Sequence, residues 1–118
     1  MLLLSLLILF NVGCASSDPW TKSDTYRQAV VTAALIGDAV TTAKIRECNN
    51  CYENGPLTSK ILGRQPNVKD TYTYYGTLII SNYFISRALP AKWRPYWQTW
   101  EFSVHTYSIS KNCSIGLC

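Results

Sequence analysis

The sequence predicts an all-α fold: a three-helix up-down-up bundle after a cleaved signal peptide, with a long loop between helices one and two. Three observations predict it. Two long stretches, 25–47 and 68–89, hold no proline and repeat their apolar residues at helical rather than alternating spacing. A third stretch opens among Pro90 and Pro95 and carries an aromatic stripe at the same spacing. One tight turn and one long loop connect the three, which is bundle connectivity. With 118 residues the chain is one domain, and 47% hydrophobic against 15% charged residues excludes a disordered chain.

The chain opens MLLLSLLILF, an apolar run too short to span a bilayer as a helix and of signal-peptide length. Asn11-Val12-Gly13-Cys14 follows, then Ala15-Ser16-Ser17, and Gly13-Cys14 resembles a bacterial lipobox. The expected organisation is therefore a signal peptide over 1–13, a lipidated tether over 14–22 and a helical domain over 23–118. Ala15 after the lipidated Cys14 points by resemblance to the outer membrane. The alternatives are an ordinary secretory leader cut near Ala15 and an uncleaved or cytoplasmic chain.

The first helix is announced by Thr21 and Asp24, a capping-box spacing with Asp in place of Glu. Val31, Leu35, Asp38, Thr42 and Ile45 recur along one face to about Glu47, and Val30, Ala33, Gly37 and Val40 offer a second, small-residue face for close helix contact. Apolar nearly all round at its middle, this helix is expected to be buried on several sides. Cys48 to Asn67 reads as a loop, with Gly55-Pro56, Gly63 and Pro66 among Asn and Ser. The second helix covers Val68 to Leu89, with Tyr75, Leu78, Asn82, Ile85 and Leu89 on one face, and Pro90 stops it. Pro90 and Pro95 stand at or near the first turn of the third helix. It runs to about Asn112 behind a stripe of Trp93, Trp97, Trp100, Val104 and Tyr107.

Five cysteines leave four once Cys14 is lipidated: Cys48, Cys51, Cys113 and Cys118. In an up-down-up order the ends of helices one and three share a pole, so disulfides from Cys48/Cys51 to Cys113/Cys118 are within reach, and an exported chain permits them. A four-thiolate zinc site and a redox-active C-x-x-C are the competing readings. Asp38, Asn82, Gln98, Glu101, His105 and Asn112 place polar groups on helix faces, Glu101 and His105 at i, i+4. Such groups satisfy one another inside a bundle; acid–base catalysis by Asp38, Glu101 and His105 is the sharper alternative. No G-x-S-x-G, P-loop, G-x-G-x-x-G or H-E-x-x-H pattern occurs. The formal charge of +4 is dispersed, which argues against nucleic acid as a partner. The expectation is no catalytic residue, no metal and no cofactor.

The order of landmarks carries a resemblance. Trp20 to Gln28 reads W-T-x-x-D-T-Y-R-Q, followed by Asp38, Tyr52-Glu53, Leu62-Gly63-Arg64-Gln65-Pro66, Leu89-Pro90-x-x-Trp93-Arg94, Trp97-Gln98, and Asn112 before Ile115-Gly116. This resembles a family of small uncharacterised helical, membrane-associated proteins of proteobacteria and their phages. Relatives carry His where Asn82 stands and Glu where His105 stands, and the loop and tail cysteines lie outside their pattern. The resemblance implies a helical fold at a membrane and makes Asp38, Asn82, His105 and Asn112 an inter-helix polar network. It implies no activity.

The function expected from all of this is a non-enzymatic envelope lipoprotein. Its partners are the membrane, through the anchor, and an envelope or outer-membrane protein. If phage-borne, it would block a receptor against superinfection or assist lysis. The 52–67 loop, with Leu57, Ile61, Leu62 and Arg64, is the expected contact surface. The alternatives are a lipid- or ligand-binding module using the aromatic stripe and an integral membrane helical protein of structural role.

Overall fold

The computed structural model describes residues 18–118. The leader over 1–13, Cys14 and the start of the 14–22 tether lie outside the described residues. The described chain is all-helical and compact, with four α-helices: α1 Lys22–Ala43, α2 Thr58–Leu62, α3 Val68–Ala88 and α4 Arg94–Ser114.

Local chemistry sets each boundary. At the start of α1 the Thr21 hydroxyl accepts from the Asp24 amide at 3.1 Å, and the Asp24 carboxylate accepts from the Thr21 amide at 3.0 Å. This is the reciprocal capping box expected of the sequence. The α-helix stops at Ala43, earlier than its apolar spacing suggests, and tightens into a 3₁₀ turn over Lys44–Glu47. Asn67 caps α3 by accepting from the Asp70 amide at 3.2 Å. Pro90 then forces Leu89 into extended backbone, at φ −70° and ψ 144°, and α3 ends. Pro95 sits in the first turn of α4, whereas Pro90 belongs to the turn before it. The loop between α1 and α3 is also more ordered than its Gly and Pro content suggests. It contains the short α2, and its two sides are tied where the Glu53 amide donates to the Arg64 carbonyl at 2.8 Å.

Helix α1 is the central element. It packs against both α3 and α4, while α3 and α4 meet each other only sparsely. Bonded pairs ascend together along α1 and α4 (Asp24 with Arg94, Gln28 with Gln98, Asp38 with His105, Thr41 with Asn112). They run oppositely between α1 and α3, where Gln28 meets Asn82 and Thr42 meets Tyr75.

The core is small. One apolar cluster joins Val31, Leu35 and Ala39 of α1 to Tyr75 of α3, flanked by Tyr74, Leu78 and Ile79. A second, at the pole where α1 and α4 end, joins Ile45, Cys51 and Leu117, with Cys48 against it. As expected, α1 is buried on more than one side, toward α3 and α4, but not all round: Val30, Ile36 and Val40 are exposed. Of the small-residue face, Gly37 is where α4 comes close. A Cβ there would stand 2.9 Å from Cδ1 of Ile109. On α3 the inward residue of the last turns is Ser86, and Ile85 is exposed.

The cysteine pairing also differs from the expected one. Cys48 bonds Cys51 and Cys113 bonds Cys118, with Cα–Cα distances of 5.3 and 4.7 Å. The shared pole is real, since Cys51 and Leu117 touch within one cluster, but each thiol takes its sequence neighbour. The 3₁₀ turn after α1 and the turn after α4, where Gly116 adopts φ +89°, each fold the chain back within a few residues. Bridging at that range needs no long-range closure.

Candidate functional site

The chemistry-bearing side chains lie on the helix faces that meet. On α4, positions 94, 98, 101, 105, 108 and 112 fall at alternating spacings of four and three, and all six are polar. This spacing keeps one stripe turned to a partner helix. In a water-soluble bundle the stripe would be apolar; here Arg94 and Gln98 are each 1% exposed, and His105 and Asn112 are buried with them. Facing them on α1 are Asp24, Gln28, Asp38, Thr41 and Thr42, all buried.

Two separate networks fill this seam. The first is centred on Arg94, whose guanidinium donates to the carbonyls of Leu89, Pro19 and Asp18 at 3.0, 2.8 and 2.9 Å, and to Asp24 Oδ2 at 3.3 Å. Arg27 donates to the other Asp24 oxygen at 2.6 Å. Burial works against the Asp24 charge, but donors from Thr21, Arg27 and Arg94 outweigh it and hold the carboxyl below its usual range. From Arg27 a relay of amides crosses the bundle, and its direction is fixed because a guanidinium can only donate. Arg27 Nε donates to Gln98 Oε1 at 2.9 Å, Gln98 Nε2 to Gln28 Oε1 at 3.2 Å, and Gln28 Nε2 to Asn82 Oδ1 at 3.0 Å. The relay ends on Asn82, whose Nδ2 is buried without a protein partner, as are Ser86 Oγ and Trp97 Nε1.

The second network is centred on Asp38. His105 Nδ1 donates to its Oδ2 at 2.6 Å, while the Ser108 and Thr42 hydroxyls donate to its Oδ1 at 2.7 and 3.3 Å. With the Thr42 proton committed, the Tyr75 hydroxyl donates to Thr42 Oγ1 at 3.3 Å. Asn112 Nδ2 donates to Thr41 and Thr42 at 2.9 and 3.3 Å. The second ring nitrogen of His105 pairs with Glu101 Oε2 at 3.6 Å. Burial opposes a charge on His105, yet the bond to Asp38 and the nearby Glu101 prevail and the imidazolium is pushed up to about 9. Burial first, and then the Asp38 charge, raise the Tyr75 hydroxyl, which stays protonated. Glu53 reaches in from the loop, buried, accepting from the Gly55 amide at 2.6 Å. Burial and the Asp38 charge together raise its carboxyl above the usual range.

Asp38, His105 and Asn112 thus belong to one network and Asn82 to the other. The sequence marks Asp24 only as a cap and Gln28, Glu53 and Arg94 only as landmarks, and it does not place them, Arg27 or Ser108 in the polar networks. Arg94 and Ser108 were findable, because they complete the heptad spacing that Gln98, His105 and Asn112 begin.

Nδ1 of His105 is bonded to Asp38, and its Nε2 lies 3.6 Å from Glu101 Oε2. Two surface concavities among the described residues, about 220 and 250 Å³, are lined by Tyr26, Arg27, Val30, Gln98, Thr99 and Phe102, and by Lys92, Trp93 and Tyr96. Neither reaches His105. Among the described residues no group of three or more His, Cys, Asp or Glu is placed to hold a metal.

The exterior is the reverse of the seam. Trp93, Trp100, Val104 and Tyr107 point outward from α4, with Trp97 half-buried. Tyr72, Ile80, Tyr83 and Phe84 are exposed on α3, and Tyr26, Val30, Ile36 and Val40 on α1. In the loop, α2 presents Leu57 and Ile61 to solvent, Leu62 is half-buried, and the exposed Arg64 lies 5.0 Å from the Tyr52 ring. No helix among the described residues is long and apolar enough to cross a membrane. Comparison of the chain with family models, curated proteins and solved structures finds no match.

Proposed function

We propose that this chain is a non-enzymatic envelope lipoprotein, anchored through Cys14, that acts by contact between its outer surface and an envelope protein. Its three long helices form an up-down-up bundle that follows a cleaved leader. The observation that carries the reading is the inverted polarity of the seam between α1 and α4. Polar side chains are turned inward and largely satisfied by one another, so they have structural work; aromatic and aliphatic side chains are turned outward, where they are available for contact. The ascending and opposed bonded pairs support the up-down-up order. Two disulfides support an oxidising compartment.

Within that surface the 52–67 loop is the protein-contact element. Leu57, just before α2, and Ile61 within it are exposed with no core duty, and Arg64 lies over the ring of the exposed Tyr52. Arginine and tyrosine are enriched at the centres of protein interfaces, and the aliphatic tips add apolar area to the same loop.

The test combines intact mass with crosslinking in the native envelope. The mature chain is expected to begin at an acylated Cys14 and to have four thiols alkylated only after reduction. A photoreactive residue at Ile61 is expected to give one defined protein adduct, lost on Leu57→Asp. An unprocessed chain with free thiols, or a position 61 that crosslinks nothing, would overturn this function.

A further inference from the structure

The outward stripe of α4 differs from the loop in its chemistry. Trp93, Tyr96, Trp100, Val104 and Tyr107 follow one another at three- and four-residue steps, and the three most exposed, Tyr96, Trp100 and Tyr107, stand at 70%, 65% and 65%. From Trp93 to Tyr107 the stripe is about 21 Å long at a helical rise of about 1.5 Å per residue. Between Pro95 and Ser110 the only carboxylate is Glu101, half-buried and turned toward His105. A lysine closes each end. The Lys92 ammonium lies 5.8 Å from the centre of the Trp93 ring, and the Lys111 ammonium 5.8 Å from that of Tyr107.

We propose that this stripe seats α4 lengthwise in the headgroup layer of an anionic bilayer. The inference rests on the envelope reading and adds a second contact to it, with lipid. The choice of occupant follows from three features. Tryptophan and tyrosine join an apolar body to a polar tip and gather where hydrocarbon meets water. Lysines at both ends of an otherwise uncharged stripe match lipid phosphates, toward which their long stems reach. The polar seam of α4 is satisfied against α1, so the aromatic side is the one it turns outward, and a helix held in this way lies along an interface rather than crossing it. That agrees with the absence, among the described residues, of any helix apolar enough to span. A second copy of the chain would meet the same lysines head to head, whereas phosphates neutralise them.

The experiment uses the full processed chain on vesicles of mixed zwitterionic and anionic phospholipid, with acyl chains either plain or brominated. Bromine in contact with an indole quenches its fluorescence. Emission is expected to fall in the brominated vesicles, and Trp100→Phe with Trp93→Phe should remove most of the quenched component while circular dichroism stays unchanged. Lys92→Glu with Lys111→Glu should reduce quenching in anionic but not in purely zwitterionic vesicles. An acylated chain that floats with the vesicles and shows equal emission in both kinds would overturn the stripe and leave the anchor standing. A chain without acyl mass that is nevertheless quenched would support the stripe and sink the anchor. Crosslinks from position 100 to a second copy would also overturn the proposal.

Discussion

At His105 the folded chain holds a proton that the unfolded chain releases near 6.5, because Asp38 and Glu101 push the folded ring up to about 9 against the effect of burial. A raised histidine contributes stability that is complete below the unfolded value and lost as pH climbs through the folded one. The loss therefore falls between pH 6.5 and about 9, and a gap of that size corresponds to about 3 kcal/mol. Chemical denaturation across this window should show the wild type weakening and His105→Gln changing little, although starting less stable. Glu53 has the opposite sign for a carboxylate. Burial and Asp38 raise it, so its ionisation weakens the fold at neutral pH. Glu53→Gln keeps an oxygen for the Gly55 amide and removes the repulsion, so it should raise stability at pH 7, read as a higher urea midpoint. A loss of stability would show that the bond from the Gly55 amide to a charged acceptor outweighs the repulsion. Little of this was legible beforehand. Glu101 and His105 announced themselves by i, i+4 spacing, but nothing in the sequence places Glu53, more than forty residues from His105 and on a loop, against the Asp38 charge.

Among the elements, those with strong local signals were the readable ones. Thr21 and Asp24 fixed the start of α1, and Pro90 the end of α3. Thr21→Ala removes one half of the capping box and should cost about 1 kcal/mol, measurable as a lowered midpoint in urea. Orientation was legible in part: Val31, Leu35 and Ile45 lie inward as their spacing predicts and the polar groups of α4 meet inside the bundle, whereas Val30 and Val40 on the second face of α1 stay exposed. Disulfide pairing was not legible. Proximity at one pole was inferred correctly, but a closed turn of a few residues is reached before two helix ends are brought together. Peptide mapping without reduction should find Cys48 with Cys51 and Cys113 with Cys118. Short loops of this size stabilise by about 2 kcal/mol each, against about 4 for a bridge spanning α3 and α4. A fragment joining Cys48 or Cys51 to Cys113 or Cys118 would contradict the structure.

For the molecule as a whole, a seam built from hydrogen bonds has a calorimetric consequence. Unfolding raises heat capacity when apolar surface meets water and lowers it when polar surface does. In this chain unfolding would release Arg94, Gln98, Asp38, Asn82 and their partners into solvent, while many of the large aromatic rings are already outside. Its heat-capacity increment should accordingly fall below the usual value of about 12–15 cal/mol/K per residue. The stability curve of such a chain is shallow, so cooling neither strengthens nor weakens the fold much. Denaturant should act through an equally shallow slope, since that slope follows the surface newly exposed. Scanning calorimetry of the processed chain would read both the increment and the breadth of the transition. An increment in the ordinary range would mean that the rings on the outside are covered before the chain unfolds.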